Sequence, residues 1–220
     1  VRSEVIDYNI TTTESLTHCE NWTPKGVFSS AGTPRNGYDT NSTFTYEWSY
    51  SLPGTSTFTI IAGATGQSYD LATLNLPAIV NSTTSVQTFR IKRTIRPTGS
   101  CQSVEHIISV TINPQPKIAA KMATSCSGTQ FSVPFPNTSP DIVPSSIRYT
   151  WSLPTITGSV TGATVGNNAT GFTQTLTNTG AADATVVYTV TPTAGSCTGP
   201  SFTITVTVKA PIVNNSITST

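Results

Sequence analysis

The chain has little of what marks a nucleic-acid binder or a membrane span. Its 11 basic and 10 acidic residues nearly cancel, so no overall field steers it onto nucleic acid or anionic lipid. It has one Met and no apolar run near the roughly 20 residues that a membrane helix needs. It carries no signal peptide, which leaves it either mature or excised from a longer protein.

Residues for catalysis or metal binding are also scarce. The only histidines are His18 and His106, and the four cysteines form no CxxC motif, so no zinc site is predicted. The sequence contains no Asp-rich calcium loop, no P-loop and no GxGxxG. Calcium binding by loop carbonyls with Asp141 or Asp183 stays open. We therefore predict no catalytic residue, no metal site and no cofactor.

What the chain has instead is Ser and Thr, nearly a third of all residues, and apolar residues that alternate with them. Period-two alternation predicts strands with one buried face. It occurs in FTYEWSY (residues 44–50), FRIKRTI (89–95), IISVTI (107–112), YTWSL (149–153), VVYTVT (186–191) and FTITVTV (202–208). A single helical turn fits only within residues 70–80. The sequence thus predicts an all-β protein built of sandwiches.

This pattern of strands and cysteines occurs twice along the chain. Cys19 aligns with Cys126, Trp48 with Trp151, and Cys101 with Cys197, at separations that fall from about 107 to about 96 residues. Each copy has the size of one immunoglobulin-like sandwich. We predict one domain over residues 1–114 and another over 115–210, arranged end to end and joined by the Pro-rich stretch 113–117. Trp48 and Trp151 are predicted to be buried in the two cores.

The tail after Pro211 resembles the start of the second copy. Both prolines, Pro116 and Pro211, are followed by nine residues that end in Thr or Ser. In the second copy the next residue is Cys126. We therefore expect residues 211–220 to be the first strand of a following repeat.

Specific stretches resemble a known family. TSCSG, YTWSLP, YTVTPTAGSCTGP and FTITVTVKAP in the second copy are similar to PKD-like repeats of very large Bacteroidetes-type surface proteins. YEWSYS, FRIKRTI and GSCQS in the first copy resemble the immunoglobulin-like repeats of the same proteins. The resemblance implies type IX secretion, an extracellular location at a bacterial surface, and tandem arrays in adhesins, including gliding-motility adhesins. The Gly-Asp-Gly turn of PKD domains is missing, so functions tied to that turn are not carried over.

Disulfides are expected because the four cysteines lack metal-binding spacing, and disulfides imply an oxidising location such as a cell surface or periplasm. The alternative is four reduced, buried thiols. Four cysteines allow three pairings. Only Cys19–Cys101 with Cys126–Cys197 keeps each bond within its own repeat, and we predict that pairing.

Two surface features are candidate ligand contacts. The only basic cluster is Arg90, Lys92, Arg93 and Arg96, which could bind acidic polysaccharide or serve as a charged strand face that blocks edge pairing. Trp22 lies outside the repeated Trp positions, and an exposed Trp in a loop can stack on sugars; the alternative is a Trp packed beside Cys19. Seven Asn-x-Ser/Thr triplets, one of them at Asn81, are expected by chance in so Ser/Thr-rich a chain.

Three functions remain open from the sequence. The leading prediction is a non-catalytic structural or adhesive segment of a long cell-surface repeat protein, with neighbouring repeats as partners. The first alternative is a carbohydrate-binding accessory module of an exported hydrolase. The second is the ectodomain of a eukaryotic receptor.

Overall fold

The computed structural model describes residues 5–6, 8–30, 32, 34–36, 43–98 and 102–211. The chain is all-β and forms two compact units, Val1–Asn113 and Pro114–Thr220, called here the first and the second domain. The predicted first strand of a following repeat, residues 211–220, lies outside the described residues except for Pro211.

The first domain consists of short strands and one 3-10 turn, Leu71–Leu74, which begins after the capping side chain of Asp70. This turn falls where the sequence allows one. The strands are β1 (Val5–Ile6), β2 (Ile10–Thr12), β3 (Thr17–Cys19), β4 (Asn21–Trp22), β5 (Val27–Ser30), β6 (Arg35–Asn36), β7 (Phe44–Ser51), β8 (Thr59–Ile60), β9 (Tyr69–Asp70), β10 (Ile79–Val80), β11 (Gln87–Pro97) and β12 (Val104–Asn113).

Two layers enclose the core of the first domain. One is the five-stranded sheet β3-β12-β11-β7-β8, and the other comprises β2-β5-β9 and the pair β4-β10. The small pair β1-β6 completes the set of described strands. Phe89 and Ile91 of β11 and Ile108, Val110 and Ile112 of β12 are buried between the layers, as their alternation predicts.

The second domain repeats this plan. Its strands are β13 (Lys121–Ser125), β14 (Gln130–Val133), β15 (Ile147–Trp151), β16 (Thr155–Thr157), β17 (Val160–Thr161), β18 (Gly166–Ala169), β19 (Phe172–Thr175), β20 (Thr177–Asn178), β21 (Ala184–Ala194), β22 (Cys197–Thr198) and β23 (Phe202–Val208). The main sheet follows the order β13-β23-β21-β15-β18, with β16 and β22 also paired to β21, and the pairs β14-β19 and β17-β20 lie apart from it.

The core of the second domain comes from the alternating strands that the sequence identifies. Val186, Tyr188 and Val190 of β21 are fully buried. So are Ile204, Val206 and Val208 of β23, while the Thr residues between them are at least partly exposed. In VVYTVT the face that carries Val186, Tyr188 and Val190 therefore points inward, as the larger total volume of these side chains predicts.

An early strand runs parallel to the last strand in each domain. In the first, β3 pairs with β12 through Thr17↔Thr111 and Cys19↔Asn113. In the second, β13 pairs with β23 from Lys121↔Ile204 to Ser125↔Val208. All other strand pairs in the described parts of both domains are antiparallel. In each domain the parallel pair therefore consists of a strand near the start of the domain and the strand at its end.

Candidate functional site

The basic cluster of β11 is divided between the core and the surface. Arg93 is fully buried, so its prediction as a ligand contact is wrong. It shares the inward face of β11 with Phe89 and Ile91, because residues two apart on a strand point the same way. Its guanidinium donates to the carbonyls of Gln67 at 2.7 Å and Tyr8 at 2.8 Å.

The aromatic surroundings of Arg93 explain how a cation fits in this core. Its guanidinium carbon lies 5.4 Å from the ring centroid of Trp48 and 5.9 Å from that of Tyr46, within cation–π range. Burial lowers the pKa of Arg93, and Tyr46 acts in the opposite sense. Among the described residues, the Nε atom has no hydrogen-bond partner. Because the guanidinium is fully buried and donates to two backbone carbonyls, its role is structural.

Trp22 is also buried, with 3% of its surface exposed, so the prediction that it offers a sugar-stacking face is wrong. Its ring stacks on His18 at 5.2 Å between centroids and meets Phe89 edge-on at 5.4 Å. Trp22 lies on β4, which pairs with β10 opposite the five-stranded sheet. In the structure Trp22 is packed in the core, which agrees with the alternative interpretation.

The other three cations face outward without forming one patch. Lys92 is bound by Glu105 at 2.9 Å, and this hydrogen bond lowers the pKa of Glu105. Arg90 lines a shallow open groove of about 650 Å³ with residues of the 54–56 and 83–88 segments, mostly Ser and Thr. Arg96 is exposed at a separate, smaller depression beside Thr45 and Glu47. Arg90 thus combines a positive charge with several Ser and Thr hydroxyl groups in the larger of these two concave surfaces.

The two histidines have different environments and do not come together. His18 pairs with Ile112 near the end of β12, whereas His106 pairs with Arg93 near its beginning. His106 Nδ1 accepts the backbone N–H of Ile10 at 2.9 Å. Its pKa is lowered by burial and then by Arg93. Within the described residues no group of three or more His, Cys, Asp or Glu side chains could hold a metal ion.

Asp141 and Asp183, the two carboxylates considered for calcium, bind lysines instead. Asp141 is buried, contacts Lys121 at 2.5 Å and accepts the backbone N–H of Ala119. Asp183 contacts Lys209 at 2.8 Å and accepts the backbone N–H of Ala210. The Lys209 hydrogen bond lowers the pKa of Asp183. Both carboxylates hold the chain near a domain end.

The cysteines depart from the predicted pairing. Cys19 and Cys197 are disulfide-bonded, but Cys126 is an exposed free thiol, so the predicted Cys126–Cys197 bridge is wrong. The reason is their placement on the main sheet of the second domain. Cys197 pairs with Ala194 at one end of β21, and Cys126 follows Ser125 near the other end. Cys101 lies outside the described residues.

Each core has one central Trp, as predicted. Trp48 is fully buried and Trp151 is 6% exposed. Each indole N–H donates to a loop carbonyl, Trp48 to Gly66 at 2.9 Å and Trp151 to Thr164 at 3.0 Å. Each lies in the strand that pairs with the longest strand of its domain. These equivalent contacts fit the repeat alignment.

A second pair of equivalent residues, Asn81 and Asn178, was not predicted from the sequence. The buried Asn81 side chain donates to the carbonyls of Ser85 at 2.9 Å and Ile112 at 2.8 Å, and accepts the N–H of Thr83. We call this arrangement the Asn clamp. It ties the loop before β11 to the end of β12.

Asn178 forms the same clamp in the second domain. It donates to Ala182 at 2.8 Å and Val208 at 3.0 Å, and accepts the N–H of Gly180. The separation between Asn81 and Asn178, about 97 residues, fits the repeat alignment and could have revealed the pair. It was hidden because Asn81 also belongs to an Asn-x-Ser/Thr triplet.

Comparison with known families supports the second domain's assignment. The family described as PKD-like domain matches residues 123–211, a range that covers most of the second domain. The second domain is thus similar to PKD-like domains, as its motifs indicate. No curated protein matches the sequence.

Solved structures match much of the chain at low identity and low TM-score. The three N-terminal domains of the outer capsid protein Hoc of bacteriophage RB49 are 12% identical with a TM-score of 0.40, over 96% of this chain and 71% of that one. Human desmocollin-1 ectodomain is 16% identical with a TM-score of 0.42, over 88% and 38%. Chicken VE-cadherin EC1-2 is 12% identical with a TM-score of 0.39, over 90% and 99%. Because these TM-scores are below 0.5, no function is inferred from them.

No helix in the described part of the chain has the length and hydropathy to span a membrane.

Three features recur in both domains: a core Trp, an Asn clamp and a parallel pair of terminal strands. All three are structural, and two of them hold the last strand in place.

Proposed function

We propose that the chain is a non-catalytic structural or adhesive segment of a long, secreted repeat protein at a bacterial cell surface. Its partners would be neighbouring repeats of the same chain. The observation that carries this proposal is the repeated construction at the end of each domain, where the last strand is paired in parallel with an early strand. The match of the second domain to PKD-like domains also supports it.

The parallel pair suits a domain that transmits force. In the second domain the chain passes through β13 near its start and leaves after β23, and these strands share five parallel residue pairs. Pulling the two ends apart loads parallel strands in shear, so that their hydrogen bonds resist together and not one by one. Asn178 adds two hydrogen bonds next to the point where β23 ends.

Single-molecule pulling tests this function directly. The chain would be held at its two termini, and the unfolding force of the second domain compared with that of an Ala123→Pro variant. Ala123 lies at the centre of β13, opposite Val206, and Pro removes a backbone N–H from a strand. We expect a clear fall in unfolding force.

Ile156→Pro is the matched control. Ile156 lies in β16, which pairs antiparallel with β21, so that one strand separates it from β23. It is 38% exposed. Its replacement should lower the equilibrium stability without an equal fall in unfolding force. Equal effects of the two variants on the unfolding force would contradict the role of the parallel pair in resisting force.

The carbohydrate-binding alternative has one observation in its favour, the groove at Arg90. Its Ser, Thr and Gln side chains with a single Arg could contact a polysaccharide that carries carboxylate or sulfate groups. A glycan array tests it with Arg90→Ala, and Arg96→Ala is the control because Arg96 is exposed outside the groove. Binding that disappears only in Arg90→Ala would support this alternative. Absence of any bound glycan would reject it.

A further inference from the structure

The edge strands of the two main sheets are not alike. In the first domain the edges are β3, with three residues, and β8, with two. In the second domain the edge strand β18 has four residues, its pairing shifts register between Tyr149 and Trp151 of β15, and Asn168 has a positive φ of 53°. The opposite edge, β13, has five residues and pairs with β23 without interruption. Among the described edges of the main sheets, β13 is therefore the longest and the most regular.

An open edge strand exposes backbone groups that can pair with another strand, and proteins usually block such pairing with a short strand, a bulge, a proline or a charged side chain. β13 contains no proline, and its one charged residue is Lys121. Lys121 lies at the end of the strand, opposite the fully buried Ile204, and its side chain contacts the buried Asp141 at 2.5 Å. Pairing at this edge would therefore not bury an unpaired cation.

The backbone groups of Met122 and Thr124 point to the open edge. The N–H and C=O of one residue point to the same side of a strand, and successive residues alternate between the two sides. The carbonyl of Ser125 accepts the N–H of Lys209, just after β23, at 2.9 Å. Ser125 and Ala123 therefore turn their backbone groups to β23, and the residues between and before them turn theirs away from it.

The side chain of Met122 adds an apolar contact to this edge. It is 85% exposed, more than any other large apolar side chain among the described residues. Thr124, on the same outer face of the sheet, is also exposed. Met is flexible and polarisable, so it adapts its shape to a partner. A strand added beside β13 would cover Met122 and satisfy the exposed backbone groups.

We propose that β13 is a self-association site, at which the edge strands of two copies of the chain pair antiparallel about a two-fold axis at Ala123. In this register Met122 of each copy lies opposite Thr124 of the other. Because both residues point their backbone groups to the edge, each such pair exchanges both of its backbone hydrogen bonds. The same residues serve in both copies, as an isologous interface requires.

The charges at the two ends of β13 are compatible with a second copy as the partner. The antiparallel register brings the Lys121 end of one strand beside the Ser125 end of the other, where Lys209 lies. Both lysines are bound to carboxylates, Lys121 to Asp141 at 2.5 Å and Lys209 to Asp183 at 2.8 Å. The two lysines therefore do not oppose the pairing.

The contact between two copies is small. Two strands of this length are expected to bury less than the roughly 1,200 Å² of a standard stable interface, so the association is weak and is significant only where copies are concentrated. This inference does not rest on the proposed function, and its readouts do not involve unfolding force. The two therefore succeed or fail separately.

A dilution series of the 220-residue chain, followed by NMR and by sedimentation equilibrium, tests the pairing. We expect the amide signals of Met122 and Thr124 to shift with concentration, their hydrogen exchange to slow at high concentration, and the average mass to rise toward that of a dimer. A chain that stays monomeric up to its solubility limit, or shifts centred away from β13, would overturn the proposal. Protection of both amides at every concentration would show that a segment of the same chain occupies the edge, and would equally contradict it.

Met122→Lys should abolish the association, because it places two like charges close together across the axis. Thr189→Lys is the matched control. Thr189 is exposed on the same outer face, but it lies on β21, which β23 separates from β13. The control should associate like the unchanged chain. Equal losses in both variants would mean that added charge, and not its place at the edge, is responsible.

The register is tested by the double variant Met122→Lys with Thr124→Glu. Each introduced lysine then faces the introduced glutamate of the other copy, so association should return and should weaken with added salt. A double variant that stays monomeric would contradict the register about Ala123.

Thr124→Pro tests the backbone pairing itself. Proline is tolerated on an edge strand where its missing N–H would face outward, so the fold of the second domain should be kept. The dimer loses one backbone hydrogen bond from each copy, and the dissociation constant should rise about tenfold or more. An unchanged dissociation constant in a folded Thr124→Pro variant would exclude pairing through the backbone of β13.

Discussion

The two domains share one framework but have opposite chemistry at the position across from the central Trp. In the first domain Trp48 lies across from Arg93, and in the second Trp151 lies across from Val190. Both partners are fully buried. The second domain completes its core with an aliphatic side chain, whereas the first inserts a cation that must be satisfied by carbonyls and aromatic rings. A conserved framework is thus compatible with very different core chemistry, provided that the buried polar group finds partners.

The largest expected effect is loss of the central Trp. Trp48→Ala and Trp151→Ala should each lower the free energy of unfolding of their own domain by about 3 to 5 kcal/mol. Trp48→Ala should be the more costly, because it also removes the ring next to Arg93. Urea unfolding, with hydrogen exchange to assign each transition to a domain, measures both. A loss below about 1 kcal/mol would show that the Trp is not central to the core.

Replacement of Arg93 tests the difference between the two cores most directly. Arg93→Met keeps much of the side-chain volume but leaves the carbonyls of Tyr8 and Gln67 without their donor. We expect the first domain to lose about 2 to 4 kcal/mol. Each of the two hydrogen bonds from the charged group contributes about 1.5 to 3 kcal/mol, and part of that loss is offset because the variant no longer buries a cation. Val190→Met, the control in the second domain, removes no hydrogen bond. A first domain stabilised by Arg93→Met would mean that the cost of burying the cation exceeds its interactions.

The Asn clamps should respond alike in both domains. Asn81→Ala and Asn178→Ala each remove a buried side chain that donates two hydrogen bonds and accepts one from a backbone N–H. A loss of about 1 to 3 kcal/mol is expected in each case. Thermal unfolding of the two variants gives the comparison. A loss in only one domain would show that the clamp is not a shared structural element.

The smallest effect is a pH dependence confined to the first domain. The lowered pKa of His106 means that its neutral form is favoured in the folded state, where Nδ1 accepts from Ile10. The unfolded state binds the proton more readily, so this contribution is present above about pH 6.5 and is lost as pH falls through the folded pKa.

Thermal unfolding between about pH 8 and pH 5 measures this effect. The first domain should lose stability on acidification, and His106→Asn should reduce that loss because the amide oxygen of Asn accepts a hydrogen bond at any of these pH values. An unchanged pH dependence in His106→Asn would exclude His106 as its source.

Prediction from sequence worked where one local rule decides the outcome. Alternation placed Val186, Tyr188 and Val190 inward, and the repeat alignment identified Trp48 and Trp151 as core residues. Arg93 was not predicted to be a core residue. Its charge favours the surface, although its position in the alternation places it on the inward face of β11. The burial of Trp22 could not be predicted either, because a short loop-like stretch without a clear period gives no preference between a packed and an exposed ring.

By itself, the sequence determined the all-β class, the duplication and the inward faces of the long strands, because a period of two residues follows from strand geometry wherever one face is buried. Only the tertiary structure decided which side chains meet across the sheets. Cys126 and Cys197 are equally good partners in a one-dimensional alignment, but the parallel placement of β13 beside β23 sets Cys126 near the opposite end of the sheet from Cys197. Strand order and direction depend on contacts between distant segments, and no local pattern contains them.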